Sequence, residues 1–216
     1  ALIERGYVCR GSYEAGETGY DEYVMHKEID QVQNIVDTLI NNPDSRRMVC
    51  SAWNVGDLPD MNLHPCHIMW QVLSDSDREA RSFDHNMSEA LGNPKKHRVL
   101  DLVIYQRSAD TCLGSPYNIA SYAALLQILA DMTGHVAGSL VYLTGDTHVY
   151  TNHFEGAATQ LAQYEDVIGK MATGARTIPR LGTKIPAGTK LEDLTIDMFD
   201  LVGYAPEPKI KFDVAV

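Results

Sequence analysis

Residues 99–123 have the sequence VLDLVIYQRSADTCLGSPYNIASYA, and this stretch decides the fold. Its apolar start, residues 99–105, predicts a buried strand. A polar run, 106–110, follows, and a Gly-Ser-Pro turn at 114–116 precedes a buried, Ala-rich helix that is predicted to begin at Asn118. This order sets Arg, Ser, Asp and Asn side chains at the rim of a sheet, where they can bind an anion and a planar, hydrogen-bonding ring. The alternative is a capped strand and helix joined by a solvated loop.

The elements predicted outside this stretch indicate an α+β fold with one large mixed sheet flanked by helices. A helical stripe starts at Asp30 and stops at the Asn-Asn-Pro-Asp run 41–44, and a second helix is predicted over 152–165. Further strands are predicted over 6–9, 48–53, 66–73, 138–144 and 195–204. Strands and helices do not alternate strictly, which favours a mixed sheet over a doubly wound fold. We expect a single domain over 1–216, with the charged segment 74–98 as a surface insertion between two paired strands.

Composition narrows the class of protein. The 216 residues carry a net charge of −11, which argues against a general nucleic-acid-binding surface. The sequence has neither a long apolar run nor a signal peptide, so we expect a cytoplasmic protein (host cytoplasm for a viral source) without a membrane span. The 4 cysteines are widely spaced without a CxxC pair, and this spacing indicates neither a disulfide framework nor a zinc site. The chain starts at Ala1 rather than Met, which suggests that residues are missing upstream.

Several side chains are candidates for binding or catalysis. Cys66 follows a loop at the start of a predicted strand, a position that suits a nucleophile, although cysteine is also a common core residue. Arg46 and Arg47 lie at the mouth of another strand, and with Arg107 they make a phosphate site plausible, whereas a lone pair is as often a solvated edge. No Gly-rich phosphate loop is present, so side chains would have to hold the phosphate.

Candidates for a sugar site follow the predicted strand 138–144, namely His148 and Tyr150. His148 and Tyr150 share a face if the chain is extended there, and both can hydrogen-bond a sugar hydroxyl; ordinary packing is an equal alternative. The histidine pairs 148/153 and 64/67 have no carboxylate at ligand spacing, so we expect no metal.

Together these motifs resemble the thymidylate synthase family. The matching stretches are NNPDSRRMVCSAWNVGDL (41–58), LHPCHIMWQ (63–71), YQRSADTCLGSPYNIASYA (105–123), GDTHVYTNH (145–153) and GYAPEPKIKFDVAV (203–216). The resemblance implies the family's fold, with a sheet face that forms a homodimer interface. It also implies reductive methylation of deoxyuridylate (dUMP) to thymidylate (dTMP), with 5,10-methylenetetrahydrofolate as the donor of the one-carbon unit and the hydride.

The resemblance gives each matched residue a role. Cys66 is the nucleophile that attacks carbon 6 of uracil, with Arg107, Asn118 and Asp110 also in the catalytic set. The dUMP ligands are Arg46, Arg47, Gln106, Arg107, Ser108, Asn118, His148 and Tyr150, of which Arg46 and Arg47 reach the partner's phosphate. The folate contacts are Asp110, Leu113, Gly114, Tyr117 and Ala215. Asn118 reads the pyrimidine edge and favours uracil.

Two other functions stay open at this stage. A dUMP 5-hydroxymethylase of the same family (or, less favoured, a dCMP enzyme) would share these residues but use water in place of hydride. An inactive nucleotide-binding or RNA-binding homologue is the second. The family's N-terminal segment, which carries a catalytic glutamate and a folate-packing tryptophan, has no matching motif upstream of residue 41. Tyr117 stands where the family generally has Phe.

Overall fold

The computed structural model describes residues 7–13, 22–76 and 98–214. Its strands are β1 (Tyr7–Tyr13), β2 (Glu22–Lys27), β3 (Val49–Ser51), β4 (His67–Asp75), β5 (Val99–Asp110), β6 (Val136–His148), β7 (Arg180–Thr183) and β8 (Phe199–Val202). Its α-helices are α1 (Gln31–Asn41), α2 (Gly114–Thr133) and α3 (Phe154–Ala172). Most of the predicted insertion, residues 77–97, lies outside the described residues.

The central sheet is mixed, as expected from the sequence. Its strand order is β3-β4-β5-β6, while β1 with β2 and β7 with β8 form two small antiparallel pairs. β4 runs antiparallel to β3 and β5, whereas β6 runs parallel to β5. Helix α2 makes the crossover between these parallel strands, which need a long connection. The fold is therefore α+β.

The core lies between one face of this sheet and helices α1 and α2. Helix α1 begins where the Asp30 carboxylate accepts a hydrogen bond from the Gln33 amide (2.9 Å). It ends at Asn41, with Asn42 as its C-cap, as the polar stop at 41–44 predicts. The predicted stripe is buried at Ile35, Val36 and Leu39. The other buried residues of the hydrophobic core are Met48, Trp70, Val72, Leu100, Leu102, Ile104, Leu126, Leu129, Ala130, Met132 and Ile185.

Several predicted boundaries were wrong. Strand β5 continues through the polar run to Asp110, because the parallel strand β6 pairs with it along that length. Helix α2 starts at Gly114 rather than Asn118. The Gly-Ser-Pro turn is its first turn, where Pro is tolerated because the amides there have no helical acceptor. Strand β7 lies in a part of the chain for which no strand was predicted, and the last predicted strand, 195–204, is limited to Phe199–Val202.

The other face of the central sheet is apolar and exposed. Facing residues of neighbouring strands line up across it, as Met69 pairs with Tyr105 and Tyr105 with Leu143. The exposed-face residues are Val49, Met69, Leu73, Tyr105, Val141 and Leu143, each 36–49% exposed. A contiguous apolar surface of this kind is typical of an interaction site.

Candidate active site

Cys66 lies at the start of β4, tied to the neighbouring strand by Arg107. The Arg107 amide donates to the Cys66 carbonyl oxygen (2.8 Å). Its guanidinium donates from Nε to the Pro65 carbonyl (2.9 Å) and from Nη2 to the His64 carbonyl (2.8 Å). Arg107 thus fixes the loop that carries the thiol, while its other N–H groups stay available to an anion.

The described thiols differ in their surroundings. Cys66 is partly exposed, and Cys50, Cys66 and Cys112 are all free. Burial raises the pKa of the Cys50 thiol, and burial followed by the nearby Asp110 charge raises that of Cys112. A raised pKa keeps a thiol protonated and poorly nucleophilic, so Cys66 is the candidate nucleophile.

Gln106 is the centre of a polar network beneath this site. Its side chain is 3% exposed, and its Nε2 donates to the Ser108 carbonyl (2.8 Å) and to Oδ1 of Asn118 (3.2 Å). The Tyr142 hydroxyl donates to Oε1 of Gln106 (2.7 Å). Every polar end of this buried amide is therefore satisfied, which stabilises one arrangement of the network.

His67 extends the network beyond Asn118. Its Nδ1 shares a hydrogen bond with the Tyr122 hydroxyl (3.1 Å). Burial lowers the pKa of His67, and a hydrogen bond with Asn118 partly opposes that shift. The imidazole is therefore neutral at pH 7 and places no positive charge beside the Asn118 amide.

Asp110 ends β5, shortly before α2 begins at Gly114. Its Oδ1 accepts hydrogen bonds from the amides of Cys112 (3.0 Å) and Leu113 (3.1 Å), which fixes the carboxylate at the start of the helix. The buried His153 places Nδ1 3.7 Å from the same oxygen, and this Nδ1 has no hydrogen-bond partner among the described residues. The carboxylate is partly exposed, so it can accept a hydrogen bond from a polar ligand.

The C-terminal tail packs beside Asp110. His153 Nε2 hydrogen-bonds the Asp213 carbonyl (2.7 Å), and the Phe212 ring meets the His153 ring edge-on, with centroids 5.1 Å apart. A Cβ on Gly156 would lie 2.6 Å from the Phe212 ring, so the glycine makes room for the tail. Ala215, predicted as a folate contact, lies outside the described residues.

His148 and Tyr150 lie at the end of β6, next to Asp110. His148 pairs with Asp110 in the strand register, and its ring packs edge-on against that of Tyr150 at 4.8 Å. Asp146 Oδ2 is 3.5 Å from His148 Nδ1. The two rings predicted to share a face are therefore in contact.

The structure brings most of the predicted site residues together. The group at this end of the sheet consists of Cys66, Gln106, Arg107, Ser108, Asp110, Leu113, Gly114, Asn118, His148 and Tyr150. Tyr117 is also on the first turns of α2 and is 71% exposed.

Arg46 and Arg47 lie apart from this group. Val49 pairs with Gln71, which places both arginines at the far end of β4 from Cys66. At about 3.3 Å per strand residue the separation is roughly 20–25 Å. Both side chains are exposed, and the nearby Asp44 is engaged by Arg98. A phosphate site made of these arginines and Arg107 within one chain, which the sequence made plausible, does not form.

Sequence reasoning missed four network and tail residues. Tyr142, Tyr122, His153 and Phe212 were assigned no role in a site, although His153 was weighed as a metal ligand. They belong to the site through contacts with residues far away in the chain. Three of them fall inside matched stretches, Tyr122 in 105–123, His153 in 145–153 and Phe212 in 203–216, whereas Tyr142 falls in none. The described ranges hold no group of three or more His, Cys, Asp or Glu side chains placed for a metal ion. None of the helices in the described part of the chain is long and apolar enough to span a membrane.

Gly145 allows β6 to pass close to the Arg107 backbone. A Cβ there would lie 2.7 Å from the Arg107 carbonyl oxygen and 3.1 Å from the Tyr105 hydroxyl. We expect Gly145→Ala to lower the free energy of unfolding by about 1–3 kcal/mol, because a backbone atom cannot move aside as a side chain can. Urea denaturation measures the change.

Gly169→Ala is the matched control for this substitution. It lies in α3 with no atom within 4 Å of the added Cβ, so it should stabilise the protein by about 0.5–1 kcal/mol through helix propensity. Equal effects of the two substitutions would contradict the close approach at Gly145.

Comparison with known proteins identifies the family. A family model for thymidylate synthase matches residues 9–216. A thymidylate synthase of Corynebacterium aurimucosum is 37% identical over 190 residues, which cover 88% of this chain. The aligned chain spans 59% of the length of that relative. The chain therefore belongs to the thymidylate synthase family.

Proposed function

We propose that the chain catalyses reductive methylation of dUMP to dTMP. The observation that carries this proposal is the contact set that holds Cys66 beside Arg107 and the Gln106–Asn118 amide pair. A thiol, an anion-binding guanidinium and a base-reading amide are the three groups needed to attack a pyrimidine nucleotide at one carbon.

Each group has a defined task in the proposed reaction. The Cys66 thiolate adds to carbon 6 of uracil, and carbon 5 becomes the nucleophile that takes up the one-carbon unit. Arg107 and Ser108 bind the phosphate, and His148 and Tyr150 bind the deoxyribose hydroxyl. Methylenetetrahydrofolate, when bound, supplies the one-carbon unit and the hydride.

Asp110 and the neighbouring tail support folate binding. The carboxylate is fixed by two backbone amides and remains partly exposed, so it fits the hydrogen-bond donors of a pterin ring. The predicted pterin-side residues Leu113 and Gly114 adjoin it, with Tyr117 on the next turn. The Asp213 carbonyl of the tail is hydrogen-bonded to His153 beside this carboxylate. In this proposal the tail closes over the folate and excludes water, which favours methyl transfer over hydroxymethylation.

The distant arginines support a homodimer. The exposed apolar sheet face is the interface in this proposal. A twofold axis that lies between two such faces and crosses the strands brings the far end of one sheet to the near end of the other. Arg46 and Arg47 then bind the phosphate in the partner's site, which explains why they are exposed and remote from Cys66.

Incubation with dUMP and labelled methylenetetrahydrofolate tests the proposed reaction. We expect dTMP and dihydrofolate in equal amounts. Hydroxymethyl nucleotide with tetrahydrofolate would instead identify a hydroxymethylase. No turnover, together with no covalent complex with fluorodeoxyuridylate, would identify an inactive homologue.

Substitution of Asn118 tests how the base is read. Asn118→Asp should lower kcat/KM for dUMP by about 100-fold and raise the relative rate with dCMP, since a carboxyl suits the amino group of cytosine better than an amide does. Steady-state kinetics with both nucleotides measure the change. Asn34→Asp, on the exposed side of α1, is the control. An unchanged ratio of the two activities in Asn118→Asp would contradict the assignment.

A further inference from the structure

Tyr142 is hydrogen-bonded to the site through Gln106. It lies on β6, partly buried, and its hydroxyl donates to Oε1 of Gln106 at 2.7 Å. None of the tasks in the proposed reaction uses this hydroxyl. Its hydrogen bond is made to Oε1 of Gln106, the end of the amide that faces away from Asn118.

The two ends of an amide side chain, its oxygen and its NH₂ group, have nearly the same shape but opposite hydrogen-bonding roles. Uracil offers an N–H at position 3 and a carbonyl at position 4, whereas cytosine offers a bare ring nitrogen and an amino group. An asparagine in one orientation matches uracil, and the same asparagine rotated by half a turn matches cytosine. Asn118 therefore discriminates between the bases only while its amide is held in one orientation.

Gln106 holds it in that orientation, together with the hydrogen bond between Asn118 and His67. The Ser108 carbonyl can only accept, so the end of the Gln106 amide that faces it must be the NH₂ group. That same NH₂ group faces Asn118, which must then present its oxygen. The orientation of Asn118 thus follows from that of Gln106.

The Tyr142 hydroxyl anchors the other end of the Gln106 amide. With it, the amide is held at Nε2 by Ser108 and at Oε1 by Tyr142. Without it, Gln106 keeps one anchor, and Oε1 becomes a buried acceptor without a donor. An amide with one anchor rotates more easily and holds Asn118 less firmly in a single orientation.

We propose that Tyr142 is a positioning residue for base selection: its bond to Gln106 keeps the Asn118 amide oriented for uracil and against cytosine. The inference rests on the proposed function, since it assigns dUMP as the nucleotide that Asn118 reads. It extends that function to a residue that touches no part of the substrate.

Nucleotide binding by Tyr142→Phe tests the inference. Titration calorimetry on the full chain uses dUMP, dCMP and deoxyribose 5-phosphate, which keeps the sugar and phosphate but has no base. Tyr142→Phe should weaken dUMP binding by about 5-fold, the worth of one hydrogen bond, and narrow the dUMP-to-dCMP affinity ratio by at least as much. Binding of deoxyribose 5-phosphate should not change.

The control is Tyr164→Phe, which removes a hydroxyl from a 60% exposed side chain on α3 and should leave all three affinities unchanged. Equal weakening of all three ligands in Tyr142→Phe would show a merely structural role and overturn the inference. An unchanged dUMP-to-dCMP ratio would also overturn it. Wild-type chain that binds neither nucleotide would instead refute the proposed function, and the inference with it.

Discussion

Replacement of Cys66 by serine is expected to abolish turnover while leaving dUMP binding in place. The hydroxyl is a far weaker nucleophile than a thiolate at neutral pH, so the rate should fall by roughly 10³-fold or more. The Arg107 contacts to the backbone of His64, Pro65 and Cys66 do not involve the thiol, so the phosphate site should keep its shape. Steady-state kinetics and dUMP titration measure the two properties separately.

The covalent complex gives a second readout for the same variant. Wild-type chain incubated with fluorodeoxyuridylate and methylenetetrahydrofolate should gain the mass of both ligands, and Cys66→Ser should gain neither. Cys50→Ala is the control, because the burial that raises its pKa makes this thiol a poor nucleophile. A covalent complex that survives in Cys66→Ser, or disappears in Cys50→Ala, would refute the assignment of Cys66.

A variant without the nucleophile and a variant with weakened phosphate binding should restore activity when they are combined in one dimer and assayed at dUMP concentrations well below the KM of the weakened variant. The double variant Arg46→Ala/Arg47→Ala should bind dUMP about 10–100-fold more weakly, because each arginine contributes charge-assisted hydrogen bonds to the phosphate. In a hybrid with Cys66→Ser, one of the two sites combines an intact Cys66 with the intact arginines of the other subunit. Random assembly should therefore give about a quarter of wild-type activity.

Coexpression of the two variants, with kinetics on the purified mixture, measures this recovery. The control mixes Cys66→Ser with a variant that carries all three substitutions, in which no hybrid site is complete. Activity that stays at the level of the separate variants would place Arg46 and Arg47 in their own chain's site, or outside any site, and would contradict the shared-site dimer.

The sequence predicted the elements of the fold better than their ends. The stripe Ile35, Val36 and Leu39 and its Asp30 start are local patterns, and α1 follows them closely. The polar run after Tyr105 looked like a loop because polarity was taken as the end of the strand. Pairing with β6 keeps that run extended to Asp110. The local sequence of the run does not show this pairing, because the partner strand lies far away in the chain.

In the candidate site, too, the residues could be predicted but the long-range contacts between them could not. The family resemblance assigned Cys66, Arg107 and Asn118 to one site, and these residues lie at one end of the sheet. The contacts that orient them could not be predicted, because Tyr142 is separated from Gln106 by 36 residues and His67 from Tyr122 by 55. No periodicity or spacing rule connects residues that meet only after the sheet has formed.

Strand β5 has a consequence for motion around the site. From Val99 to Gln106 it is paired on both sides, by β4 and β6, and Leu100, Leu102 and Ile104 are fully buried along it. Backbone amides in such a strand exchange with solvent only through the largest opening events of a protein. Because Gln106 to Asp110 continue this strand alongside β6, the groups that would bind phosphate and pterin extend directly from its protected part. We therefore expect any movement that admits a ligand to occur in the two segments that pack beside the end of β5, the loop before Cys66 and the tail at Asp213.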